Sequence, residues 1–189
     1  MMIRGYINLF IIVIAATVVL QLPIFFVLKK KGVGLIRQLS YLLCLWSFFS
    51  VIFATIILFN LPLRFSPEQS VLNLQPLLWL REGMVRQRIM TEIIPNVLIF
   101  VPAGIFTPIA FKRMRKLRMM VSAALIVIFS IEFFQYFIGR SSDIDDLIAN
   151  LSGCIIGYGI FRILEFLFEN KTWWNKFLLR PSLKSPNFH

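Results

Sequence analysis

The sequence predicts an all-α integral membrane protein, a bundle of about five transmembrane helices with the N-terminus outside and the C-terminus cytoplasmic. Three observations lead there. Hydrophobic residues make up 58% of the 189 positions and mean hydropathy is +0.79, beyond the usual apolar share of soluble domains. Only 15% of residues are charged, and they gather in short clusters between apolar runs of spanning length. A soluble core could not cover so many Phe, Ile and Leu side chains without leaving whole faces in water.

The net charge of +11 raises nucleic acid as a partner, and the charge distribution argues against it. Lys29-Lys30-Lys31, the run from Lys112 to Arg118, and Lys171, Lys176, Arg180 and Lys184 all flank apolar segments. That is where cytoplasmic anchors lie under the positive-inside bias. Membrane lipids are the partner this charge fits, and no nucleic acid is expected. Cys44 and Cys154 fall inside apolar runs, as small hydrophobes do, with no spacing for a disulfide framework or a zinc site.

Three segments follow: 1–38, an N-terminal transmembrane helix with a basic inner loop; 39–168, the main bundle; 169–189, a cytoplasmic basic tail. Tyr6 to Leu28 is uncharged and long enough to span. Its lysine triplet ends inside, and Gly32 and Gly34 break the helix. Ser40 to Asn60 is the second span. Residues 62–92 form an external polar segment. Its stretch from Val71 to Leu80 is too apolar for a free loop, so it should lie on the outer surface or fold back onto the helices. A short amphipathic helix is expected over 82–92.

Ile93 to Phe111 is the third span. Pro95, Pro102 and Pro108 predict that it is bent or interrupted. Asn96, Ala103, Thr107 and Ala110 share a face that should point into the bundle. Met119 to Ile138 is the fourth span and carries Glu132 and Gln135 on one side. An external turn, Gly139 to Ser142, leads to the fifth span from Asp143 to Phe161 or beyond. Trp173 and Trp174 are placed at the inner interface.

Carboxylates, amides and an arginine carried into hydrocarbon need a reason. Asp143, Asp146 and Asn150 recur at three and four, on one face that continues as Gly153 and Gly157. Those two glycines would let another backbone approach closely. Glu132, Asn96 and Asn150 would then bring polar groups from separate helices to one depth near the outer leaflet. An architectural reading stands beside this. Ser142 and the acids after it resemble a capped helix start, Arg140 can pair with a carboxylate to ease burial, and the asparagines can join helices.

Two functional readings compete. In one, Glu132, Asp143 and Asp146 are catalytic acids and bases, with or without a divalent metal, acting on a lipid-linked headgroup. In the other, Arg140, Asn96, Gln135 and Asn150 line an outward recognition pocket, with Arg140 taking an anionic group and carboxylates a cationic or hydroxyl-rich one. A non-catalytic scaffold and a small transporter are further alternatives. No cofactor is indicated.

The stretches from Asn96 to Pro108 and from Ser130 to Gly159 resemble the VanZ-like bacterial membrane proteins. Asn96, Phe100, Pro102 and Gly104 fit one family segment. Glu132 and Gln135 fit a second. Gly139, Arg140, Asp143, Asp146, Asn150, Gly153 and Gly157 fit a third, at the family's spacing, and Asn73 to Pro76 fits an upstream element. The resemblance implies a multi-pass protein of the bacterial plasma membrane. It also implies a role in the cell envelope, such as lowered susceptibility to the lipoglycopeptide teicoplanin. Lipid-linked cell-wall precursors or the glycopeptide itself are the partners it implies.

Overall fold

The computed structural model describes residues 2–57, 65–77, 85–140 and 142–178. Its helices are α1 (Met2–Lys30), α2 (Leu35–Ile52, continuing as a π turn over Phe53–Ile57), α3 (Val85–Ala110), α4 (Leu117–Phe137), α5 (Ile144–Phe168) and the short α6 (Thr172–Leu178). Among the described residues, Leu35–Ile56, Val85–Ala110, Leu117–Phe137 and Ile144–Phe168 are long and apolar enough to cross a membrane. The first predicted span, Tyr6 to Leu28, coincides with α1, a single 29-residue helix through Pro23. The protein is an all-α membrane bundle.

Two boundaries differ from the sequence reading. The second span starts at Leu35 rather than Ser40, because Gly34 is extended and the helix begins directly after it. Arg37, assigned to the basic loop, therefore lies inside α2 and is buried. The third span is already helical at Val85, so from there on the expected amphipathic helix over 82–92 is its first part rather than a separate element, while 82–84 lie outside the described residues. Prolines do not interrupt it. A π turn at Ile89–Ile93 precedes Pro95, and the Ile94 N–H reaches five residues back to the Ile89 carbonyl. Widening the helix there relieves the clash of a proline ring with the preceding turn.

α3 and α5 form the closest pair. A Cβ on Gly153 would lie 2.2 Å from the Val97 carbonyl oxygen, and one on Gly157 would lie 2.2 Å from that of Val101. Gly104 meets Gly157 from the other side, with the Cys154 carbonyl 2.3 Å from where its Cβ would stand. No side chain fits these three positions, so the backbones themselves are in contact. The main core lies between α2, α3, α4 and α5, around Val51, Phe100, Ala124, Ile128 and Cys154. Outside it, Ile126, Phe133, Ile163 and Phe166 stay exposed, the surface a bilayer would cover.

At the basic end, Arg37 ties three elements together. Its guanidinium donates to the carbonyls of Ile109 (2.7 Å) and Ala110 at the end of α3, and of Phe177 (2.9 Å) in α6. These carbonyls have no partner within their own helices, so a buried cation there satisfies them and suits the helix dipole. Arg115 donates to Pro108 and Leu178 in the same way, at 3.1 and 2.7 Å. The tail predicted for 169–189 thus begins with a packed helix. Trp174, expected at the interface, is buried against Phe161, while Trp173 stays exposed. Residues 179–189 lie outside the described residues.

Candidate functional site

The opposite end of the bundle collects the polar residues. α4 ends at Phe137, and Gly139 takes a left-handed conformation (φ +80°) that redirects the chain. Its position is tight, since a Cβ would stand 2.8 Å from the Ser66 hydroxyl. The chain then pairs in parallel with the preceding loop: β2 (Ser142–Asp143) lies beside β1 (Leu72–Asn73), Asn73 opposite Asp143. Ser66 N–H donates to the Phe137 carbonyl and Ser142 N–H to that of Val71, both at 3.0 Å. From Val71 to Leu77 the apolar stretch therefore folds back onto the helices, one of the two placements expected of it, and 78–80 lie outside the described residues.

Asp143 starts α5. One carboxylate oxygen accepts the Asp145 N–H at 3.0 Å; the other receives the Asn73 amide at 3.2 Å and an ion pair from Arg88. The helix cap expected from Ser142 is thus supplied by Asp143, the N-terminal side-chain oxygen closer to the free N–H groups. The Ser142 hydroxyl instead donates to Glu132 at 2.8 Å. Asp145 is buried, and both its oxygens accept the Leu77 N–H, at 2.9 and 3.2 Å. It holds Leu77 at φ +58°, a conformation that a leucine rarely adopts unaided.

The Thr55 carbonyl, in the π turn at the end of α2, accepts from both Gln135 and Arg140, each at 2.8 Å. Arg140 therefore bonds to backbone, not to the carboxylates considered for it. Asn96 donates its amide to Asp146 at 2.8 Å, joining α3 to α5. Asn150 is fully buried, its side-chain oxygen without a hydrogen-bond partner among the described residues.

These groups surround a cavity of about 640 Å³ lined by Thr55, Arg88, Glu92, Asn96, Arg140, Asp143 and Asp146, within the roughly 300–1,000 Å³ of ligand sites. Arg88 bridges Asp143 and Glu92, the latter at 2.9 Å. Arg140 and Asp146 make no ion pair with any described residue, so one cation and one carboxylate face the cavity uncompensated by contact. Glu132 stands apart. It is buried behind Ser142 and lines a separate groove, although Arg140, Asp143 and Asp146 are near enough to act on its charge. Gln135 is likewise buried and spent on Thr55. Among the described residues, no group of three or more His, Cys, Asp or Glu side chains is placed to hold a metal ion.

Of the seven predicted site residues, Asn96, Arg140, Asp143 and Asp146 converge on the cavity, while Glu132, Gln135 and Asn150 do not line it. Arg88, Glu92 and Thr55 were not anticipated. Arg88 and Glu92 read as polar loop residues, and their i, i+4 spacing at the head of an apolar run was the available signal. Thr55 contributes a backbone carbonyl, which no residue pattern reveals.

No curated protein and no solved structure matches this chain. The family described as VanZ/LLP1 matches residues 38–165, a stretch that holds the cavity and the glycine contacts. The chain is a member of the VanZ/LLP1 family of membrane proteins.

Proposed function

We propose that the protein is a bacterial cell-envelope protein of the plasma membrane, with its polar cavity facing outward, that recognises the head group of a surface lipid-linked polymer. Lowered susceptibility to lipoglycopeptides such as teicoplanin is the phenotype this reading entails. The cavity lies at the end remote from Lys29–Lys31 and Lys112–Arg118, which the positive-inside bias puts in the cytoplasm. The observation that carries the reading is the pair Arg140 and Asp146, opposite charges lining one chamber without an ion-pair contact. Arg140 takes a phosphate or carboxylate through its free N–H groups. Asp146, held in place by Asn96, accepts from an ammonium or hydroxyl.

The test is complementation of a deletion strain, scored by teicoplanin survival and by mass spectrometry of envelope lipids. Arg140→Gln and Asp146→Asn should each abolish the effect while the protein still accumulates, and Arg140→Lys should restore part of it. Catalysis by Glu132 with Asp143 and Asp146 predicts a different order, in which Glu132→Gln alone removes all function. Full loss in that variant at normal abundance, with Arg140→Gln active, would overturn the recognition reading.

A further inference from the structure

Beside the polar cavity, across Asp143, runs a second chamber of about 530 Å³ between α4, the start of α5 and the strand residues of β1. Its walls are apolar: Leu72, Leu74, Phe129, Phe133, Phe137 and Leu147. Phe129, Phe133, Leu72 and Leu74 are all more than half exposed, so the groove opens outward from the bundle rather than into it. Its polar side chains are Tyr136 and four that are bonded to one another in two pairs, Asn73 to Asp143 and Ser142 to Glu132. Asp143 lines both chambers.

We infer that this groove holds the hydrocarbon chain of the same lipid whose head group enters the polar cavity. This rests on the head-group reading above and adds the anchor to it. An amphiphile that offers an anionic group to Arg140 and a donor to Asp146 has its chain leaving beside Asp143, where the apolar groove begins. The parallel pairing of β1 with β2 holds Leu72 and Leu74 along the groove edge, so the loop that shapes the chain site also fixes Asn73 on Asp143. Burial of apolar surface in a lipid-exposed groove is weak by itself, because lipid tails are as apolar as leucine. Selectivity must therefore come from the head, and occupancy of the groove must depend on Arg140.

The purified full chain in nanodiscs of phosphatidylglycerol and phosphatidylethanolamine, doped with phosphatidylethanolamine bearing a diazirine in its acyl chain, provides the test. That probe carries the phosphate and the ammonium that the cavity takes. After irradiation, labelled peptides are mapped by mass spectrometry. Label is expected to concentrate on residues 71–74 and 129–137 relative to the exposed faces at Ile155–Ile156 and Phe166–Leu167. Arg140→Gln should lower the groove label about tenfold, the equivalent of one charge-assisted contact, with Arg140→Lys intermediate. Even labelling of all exposed faces, unchanged by Arg140→Gln, marks ordinary bilayer lipid and overturns the inference. If soluble glycerophosphoethanolamine still protects the cavity residues in that case, the head-group reading stands without the chain site. If it does not, both fall.

Discussion

The Asn96 amide donates to the Asp146 carboxylate at 2.8 Å, across two helices whose backbones touch through Gly104, Gly153 and Gly157. The close approach is what brings a short asparagine side chain within reach of a carboxylate on the neighbouring helix. Asn96→Leu leaves the carboxylate without that donor, and should cost about 1–3 kcal/mol of stability. Thermal unfolding in detergent measures it. Asp146→Asn should cost less, since an amide oxygen still accepts, while removing the charge required for recognition.

The glycine contacts give the sharpest structural prediction. Gly153→Ala puts a methyl 2.2 Å from a backbone oxygen that cannot move alone, so α3 and α5 must separate. A loss of about 1–3 kcal/mol is expected from such overpacking, visible as a lower melting temperature and reduced accumulation. Gly159 is the control. A Cβ there meets nothing within 4 Å, and Gly159→Ala should stabilise the helix by roughly 0.5–1 kcal/mol.

Asp143 has two separable duties, capping α5 and pairing with Arg88. Asn retains the cap and loses the charge, whereas Ala loses both. Asp143→Ala should therefore be less stable than Asp143→Asn by about 1 kcal/mol. In the Arg88→Gln background the step from Asp143 to Asn should lose most of its cost, which a double-mutant cycle reads directly.

Arg37→Leu leaves the α3 carbonyls of Ile109 and Ala110 and the α6 carbonyl of Phe177 without their donor. Detachment of α6 is the expected result, read as new proteolytic cleavage between α5 and α6. Arg37→Lys, with one nitrogen for three carbonyls, should protect only in part.

Orientation is open to labelling. With Cys44 and Cys154 replaced, Glu68→Cys should react with an impermeant maleimide on intact cells, and Lys112→Cys only after permeabilisation. Both positions are exposed. The reverse pattern would place the cavity in the cytoplasm and remove the proposed envelope role.

The sequence by itself determined the spanning segments, the glycine face and the identities of Asn96, Arg140, Asp143 and Asp146, because hydropathy and helical periodicity are local properties of the chain. It could not decide where the polar groups point. Ser142 reads as a cap, yet Asp143 fills that role once the strand pairing with Asn73 sets the backbone. Glu132 reads as a catalytic partner of Asp143 and Asp146, yet α4 turns it toward Ser142 and the apolar groove. Arg37 reads as loop, yet it is buried because carbonyls from two other helices converge on it. Those outcomes belong to the tertiary structure, since each depends on acceptors and donors that are remote in sequence and meet only when the helices pack.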